Sequence, residues 1–485
     1  MTALTKGVGL ADVESWGIQP VPVERRRLRA WDFGVLWGDL AVSLLVMVAG
    51  ALLVPGLGTQ EALLAIVVGT LIGAVLLAMA GVIGSETGVP TMVGLRAALG
   101  VRGSFIASAV NILQLVGWAA IEVIVMAQAA RSLSDRYLGF TGYYFWIVFF
   151  GVVGLLMAVG GPIAVVRQWL QKFGVWVVVA ASLWLTVRLF DVYDFGAIWR
   201  AKGDPTLGWP NFWQAVDIVV ALPVSWLPLV GDYSRFARRA APAAVGTYIG
   251  YSLANIWFFA LGLFYVQALA DPAAGPSPGT LVGDLVTSLL PLALGWLALI
   301  VLLVGESDEA FANIYSTAVS FRNLVPRLTH TMLAIGVGVA AVLVAMLLDR
   351  LGWAASYQNF LLVIGGVFVP LFGIFLADFF AVRRGSYSVP DLYRNSGPYW
   401  YAGGVNRVGV AVWLVGFVVY ILAAQPVWLI EHADVVSWAP RAASFVDNFG
   451  GTIPAFAVSF VLYWASAQVW LRGERRLQRQ AEAAG

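Results

Sequence analysis

The 485-residue chain has no cysteine and only two histidines, His330 and His432, far apart in sequence. Those absences exclude disulfides, thiolate nucleophiles, Fe–S clusters and Cys-based zinc sites, and leave little material for a His-based metal site. Charge is scarce as well. Asp, Glu, Lys and Arg make up 12% of residues, against about 25% in an average soluble protein. The net charge of +2 lies in short basic clusters between apolar segments, a pattern that implies no nucleic-acid partner. No glycine-rich phosphate cradle precedes a lysine, so nothing indicates ATP drive. What is abundant is apolar: 60% of residues are hydrophobic and mean hydropathy is +0.83. By length about three soluble domains would be expected, but cores of that size cannot hide so much apolar surface. Lipid must be the solvent, and the chain reads as a polytopic membrane protein.

A span needs about 20 mainly apolar residues, and twelve segments qualify: 31–54, 62–84, 104–130, 143–161, 169–190, 214–231, 246–270, 291–318, 331–348, 358–382, 408–425 and 452–471. The first 30 residues are polar, with Pro20, Pro22 and the basic run around Arg25–Arg29. They read as a cytoplasmic tail and not as a cleaved signal peptide. Alternating the loops from a cytoplasmic N-terminus puts 22 Lys and Arg inside and 7 outside, which supports N-in, C-in orientation. Most of the 21 Trp and 16 Tyr suit span ends, as Trp199, Trp209, Tyr399, Trp400 and Tyr401 do. The glycines read mainly as close-packing positions between helices, as in Gly69-xxx-Gly73.

Charge inside hydrocarbon is costly, so intramembrane acids mark functional positions. The first span contains Trp37-Gly38-Asp39-Leu40-Ala41-Val42-Ser43, whose Gly-Asp pair suggests local unwinding. The sixth contains Pro223, Ser225, Trp226, Pro228 and Gly231-Asp232, and reads as the most interrupted of all. Broken helices at corresponding positions of two halves point to an inverted-repeat transporter; kinks plus a buried ion pair are the bland alternative. In the third span, Trp118 and Glu122 share a face at i,i+4, so that an indole and a carboxylate can meet a flat polar ligand. The eighth span carries Glu306, Ser307, Asp308, Glu309 and Asn313. Glu306, Glu309 and Asn313 fall within about 60° of one another on a helical wheel, whereas Asp308 points away by nearly half a turn. One stripe could face a substrate cavity and the other a cation pocket against the first span. A loop dividing two short segments is the alternative.

The order and spacing of several short strings resemble the nucleobase:cation symporter-1 family, the purine, pyrimidine, allantoin and hydantoin permeases. They are Ala30-Trp31-Asp32; Gly88-Val89-Pro90 with Arg96-Ala97 and Gly100; Gly117-Trp118; Gly231-Asp232-Tyr233-Ser234-Arg235-Phe236; Ala377-Asp378-Phe379-Phe380 with Arg383-Arg384; and Asp391-Leu392-Tyr393 followed by Gly403-Gly404-Val405-Asn406. The resemblance spans essentially the full length. It implies an all-α LeuT-type fold: a tail at 1–30, a first five-helix repeat at 31–190, an inverted second repeat at 214–382, two additional helices at 408–471 and a cytoplasmic tail at 472–485. It also implies that Trp118 stacks on the substrate, that Glu122 bonds the ring edge, and that Asn313 and Glu309 contact the substrate from the eighth span. The family's second stacking aromatic would fall on Pro223, and Trp226, three residues on, is the substitute, with Ser225 beside it. The cation would lie between Asp39, Ala41 and Val42 of the first-span break and Ser307 and Asp308. Sodium-coupled members carry hydroxyl residues at the last two positions. With Asp308 here opposite Asp39, sodium and a proton are equally plausible.

The leading expectation is therefore a symporter of the cell membrane, working as a monomer without cofactor. It would import a planar base, cytosine or hydroxymethylpyrimidine foremost, by alternating access. Purine, allantoin or hydantoin transport is the nearest alternative. A membrane enzyme using the clustered acids, or a channel with a repeated polar ring, is the alternative outside the transporter class.

Overall fold

The first apolar segment breaks at Gly38-Asp39. Helix α1 (Ala30–Asp39) ends there, and α2 (Leu44–Ala51) restarts after four residues at an angle of 60°. Ser43 makes the restart possible: its extended backbone turns the chain, and its Oγ accepts Leu45 N–H at 3.0 Å as an N-cap. The computed structural model describes residues 17–160, 175–204, 206, 210–269, 289–290, 292–351, 354–424 and 449–484. Residues 1–16 of the expected tail, 169–174 of the fifth expected span, Trp209 and His432 lie outside them.

The chain continues through α3 (Thr59–Thr87), α4 (Gly103–Leu138), α5 (Tyr143–Gly160), α6 (Val175–Val192), α7 (Phe212–Ser225), α8 (Leu227–Ser234) and α9 (Ala240–Leu269). There follow α10 (Gly295–Leu324), α11 (His330–Leu351), α12 (Ala354–Leu376), α13 (Arg407–Ala424) and α14 (Thr452–Ala484). Helix α9 lies directly on the broken first span. A Cβ on Gly250 would fall on the Gly34 carbonyl oxygen and one on Gly262 on the Met47 carbonyl oxygen, so only glycine permits that approach. The Gly69-xxx-Gly73 pair of α3 likewise receives Val219 and the Pro223 ring of α7.

That seat explains why the sixth span is less broken than its prolines suggest. Pro223 packs into the Gly73 notch, and Pro228 occupies the first turn of α8, where no backbone donor is required. Trp226, the joint, keeps helical dihedrals (φ −81°, ψ −9°), and Phe212–Ser234 forms one 23-residue span, buried over its most apolar stretch. Among the described residues α1/α2 is the only pair bent by more than 40° within a span. The two halves are thus unequally interrupted, with the first carrying the real break.

Helix α10 runs unbroken through residues 306–309, which excludes a loop there. By length and composition, eight described helices can cross a membrane, or nine with α1/α2 counted as one span. Helices α5, α6 and α10 occupy the other expected spans. The apolar part of α5 is only Tyr143–Val159, α6 begins inside its expected segment, and α10 carries three carboxyls. Helix α14 continues to Ala484, so the expected C-terminal tail is helical up to that residue.

Residues 17–29 form a strap across the ends of the helices. Val21 N–H donates to Gly88 O (2.9 Å), Leu28 N–H to Phe236 O (3.0 Å), and Arg238 N–H back to Leu28 O (2.8 Å). The buried Arg235 guanidinium donates to Gly17 O at 2.5 Å, and Tyr393 Oη to Ile18 O at 2.6 Å. Arg96 donates to Asn323 Oδ1 (2.6 Å) and Leu392 O (3.1 Å) nearby. Tyr399 and Tyr401, expected in the headgroup layer, belong to the protein instead. Tyr399 is buried and its Oη accepts Ser388 N–H, while Tyr401 Oη donates to Ala97 O at 2.6 Å.

Candidate functional site

The break between α1 and α2 leaves the first N–H groups of α2 without intrahelical partners, with a positive dipole end behind them. Glu306 of α10 meets both needs. Its Oε2 accepts Leu44 N–H at 2.8 Å and its Oε1 accepts the Ser43 hydroxyl at 3.0 Å, in a fully buried setting. The backbone of the break turns on itself, with Ala41 N–H on Gly38 O and Val42 N–H on Asp39 O. Ala41 and Val42 are buried between the two helices and belong to neither.

Asp308 lies against Asp39 on the other side of the break. The two acids come from opposite halves of the chain, and one oxygen of each, Asp39 Oδ2 and Asp308 Oδ1, is buried without a hydrogen-bond partner. Glu306 therefore has both oxygens committed to the break. The 60° bend wraps the first span around α10, so that Glu306 and Asp308 reach different parts of one break despite pointing nearly half a turn apart. Ser307 does not join them. Its hydroxyl donates to Leu303 O at 3.1 Å and touches Met126 Sδ of α4 at 3.7 Å, because its position on α10 faces α4 and not the break.

Glu122 of α4 accepts a hydrogen bond from Asn313 Nδ2 at 2.7 Å through Oε1, while its Oε2 is buried and unpartnered. Glu309 lies among Glu122, Glu306 and Asp39, near Ser43, with Oε1 unpartnered. Five carboxyls (Asp39, Glu122, Glu306, Asp308 and Glu309) thus share one buried cluster, each at most 6% exposed. Among the described residues no Lys, Arg or His forms an ion pair with any of them.

Aromatic groups bracket the acids. Trp118 makes edge-on contacts with Tyr357 (6.1 Å between centroids) and Phe360 (5.1 Å), and its Nε1 is buried without a partner. Tyr357, beside Glu309, Glu306 and Glu122, donates to Leu45 O at 3.3 Å. On the other flank Trp226 stands edge-on to Trp37 at 6.1 Å, and Trp37 also meets Tyr233 and Tyr251. Tyr251 lies near both Trp226 and Glu309. The Ser225 hydroxyl is engaged by its own helix, donating to Leu222 O at 2.6 Å, and the Ser225 carbonyl accepts Gln114 Nε2 at 2.9 Å. The structure therefore gathers Trp118, Glu122, Glu309, Asn313, Trp226, Asp39 and Asp308 around one centre and turns the Ser225 and Ser307 hydroxyls away.

Sequence reasoning missed Ser43 and Glu306 as partners, Tyr251 and Tyr357 as walls, and Gln114. Gln114 had a signal, since it sits one turn before Trp118 on the same face. The tyrosines had none, for a Tyr in an apolar segment reads first as interfacial.

A family model described as permease for cytosine/purines, uracil, thiamine, allantoin matches residues 20–446. The hydantoin permease of Microbacterium maritypicum is 25% identical over 443 residues, covering 87% of this chain and 88% of that protein. The cytosine permease of Escherichia coli (strain K12) is 25% identical over 410 residues, covering 82% and 89%. Among solved structures, Mhp1, a nucleobase-cation-symport-1 family transporter in a closed conformation with bromovinylhydantoin bound, superposes with a TM-score of 0.74 at 22% identity over 94% of this chain and 96% of that one. Its likeness carries the fold, an all-helical LeuT-type arrangement in which one broken helix meets the centre of the bundle. With the family model matching most of its length, the chain is an integral membrane protein that belongs to the nucleobase:cation symporter-1 family.

Proposed function

We propose that the protein is a cation-coupled symporter that imports a planar base bearing an amino group, cytosine or hydroxymethylpyrimidine foremost, across the cell membrane by alternating access. Glu122 carries the reading. Its Oε1 is fixed by Asn313 while Oε2 is left buried and unpartnered, one turn from the Trp118 indole. When ionised, this carboxylate only accepts hydrogen bonds, so it suits a ring edge that offers N–H groups while the indole covers a face. Trp226 closes the other flank with Trp37 and Tyr251, and Glu309 lies within the same cluster. Asp39 and Asp308, with the break at Ala41 and Val42, form the coupling site. Two carboxylates in a low-dielectric interior cannot both stay ionised cheaply without a cation or a proton between them. If the ion is sodium, the pair is its side-chain seat, with Ser307 taking part only after a rotamer change. No covalent step is required, and the chain acts as a transporter and not as an enzyme. The relatives' cargoes, cytosine and hydantoin among them, support the substrate class.

Uptake of labelled cytosine, uracil, hydantoin, allantoin and purines into proteoliposomes, with sodium and pH gradients imposed separately, tests the reading. Saturable uptake of an amino-bearing base driven by either gradient is the expected result; preference for uracil or hydantoin over cytosine overturns the substrate assignment.

A further inference from the structure

The charge balance of the site is one-sided. Five carboxyls are buried together, no basic residue among the described ones pairs with them, and four of them present a buried, unpartnered oxygen: Asp39, Glu122, Asp308 and Glu309. The one feature that attracts anions in folds of this kind, the exposed N-terminus of the restarted half-helix, is already taken, because Glu306 occupies Leu44 N–H and Ser43 Oγ. An anionic group entering here would find its seat filled and meet four further acids. Two unpartnered donors, Trp118 Nε1 and Tyr251 Oη, also border the site and can bond a neutral carbonyl edge, but a neutral edge does nothing to offset the acids; only a positive charge lets these buried carboxyls ionise together without repulsion.

We infer that the cargo binds as a cation: a flat heterocycle whose edge is an amidinium-type N–C–N unit, donating N–H bonds from both nitrogens to Glu122 and Glu309. The aromatic walls fit the same chemistry. Tyr357 and Tyr251 stand beside Glu309, Tyr357 in edge-on contact with Trp118 and Tyr251 near Trp226, and electron-rich ring faces attract a delocalised cation in a desolvated site. A charge-assisted pair of N–H···carboxylate bonds is stronger than its neutral counterpart and fixes ring orientation. This inference rests on the transport reading above and narrows its cargo by charge, from an amino-bearing planar base to one bound with positive charge; cytosine and hydroxymethylpyrimidine meet it with the ring nitrogen beside the amino group protonated.

Benzamidinium, benzamide and benzoate test it, since the three share size and planarity and differ in charge and donor count. Their binding to the full-length protein in lipid nanodiscs is followed by tryptophan fluorescence at fixed pH and ionic strength. Benzamidinium is expected to bind at least about tenfold more tightly than benzamide, benzoate to show no saturable binding, and Glu309→Gln and Glu122→Gln each to shrink the benzamidinium-to-benzamide ratio. Equal affinities for benzamidinium and benzamide, saturable benzoate binding, or a ratio unchanged in both Gln variants overturns the inference. The two readings fail separately. Uptake of a base without any benzamidinium preference leaves transport standing and removes the charge assignment. A benzamidinium preference lost in the Gln variants, with no base transported, supports the charge assignment and removes the base as cargo.

Discussion

Trp118 packs its indole edge-on against Tyr357 and Phe360, with its Nε1 unpartnered, and in the proposed function its ring covers the cargo. Stacking of a base on an aromatic ring is worth about 1–3 kcal/mol, so Trp118→Ala should weaken substrate affinity by roughly five- to 150-fold while Trp118→Phe retains part of it. Binding titrations on folded protein check this, and wild-type affinity in the Ala variant removes the stacking role. Glu122 makes a different prediction because its partner is known. Glu122→Gln replaces an acceptor-only group by one that also donates, so the rank order of competing bases should shift towards those with a carbonyl edge, at similar expression. Competition by cytosine and uracil that is the same in both variants would show that Glu122 does not read the ring edge. That the two residues share a helical face was legible in the sequence from a single i,i+4 spacing. The partners of Glu306 and Ser307 were not legible, because a helical wheel orders side chains around one axis and says nothing of where a bent neighbour lies.

At the scale of elements, the first-span break was visible as a Gly-Asp pair, but the sixth span misled. Two prolines count as interruptions only if the packing leaves their missing donors and bulky rings unaccommodated, and here Gly73 and the first turn of α8 accommodate both. A second element-level device had no signature at all. Asp217 in the middle of α7 reaches the start of α14, where its Oδ2 accepts Gly451 N–H at 2.6 Å and its Oδ1 accepts Thr452 N–H at 2.9 Å. The carboxylate caps a helix more than 200 residues away in sequence. Gly450 permits the approach, with φ +61° and no Cβ to collide with the carboxyl. Asp217→Ala leaves two buried N–H groups unsatisfied and should cost about 1–3 kcal/mol, read as a lower midpoint of thermal unfolding in detergent, with Asp217→Asn recovering part through its amide oxygen. An unchanged midpoint in the Ala variant would mean that water replaces the cap. The pairing was illegible because it joins an acid in one apolar run to the backbone at the start of another, and backbone donors leave no trace in composition.

Over the whole molecule, several strings that carry the family resemblance, unlike Gly117-Trp118, tie segments together away from the site: Gly88, Arg235 and Tyr393 bond the strap at Gly17–Leu28, and Arg96 ties α10 through Asn323 to Leu392. The proposed coupling site likewise draws on both halves at once, because Asp39 comes from the first and Asp308 from the second. In that proposal a cation held between them would bridge the broken helix to α10, and its loss would leave two carboxyls to repel or share a proton. Occupancy of the pair can then set which arrangement of the halves the bundle prefers, which is the requirement for drawing cargo uphill. Asp308→Asn removes one charge while keeping size and hydrogen-bonding capacity, so it should abolish gradient-driven accumulation in proteoliposomes and leave counterflow exchange of substrate in place. With sodium as the ion, sodium stimulation of substrate binding disappears in this variant; with a proton, the rise of uptake under an inward acid gradient disappears, and uptake becomes insensitive to pH. Wild-type uptake indifferent to both gradients, with Asp39→Asn and Asp308→Asn equally active in properly inserted protein, would instead make these acids structural and the protein a facilitator.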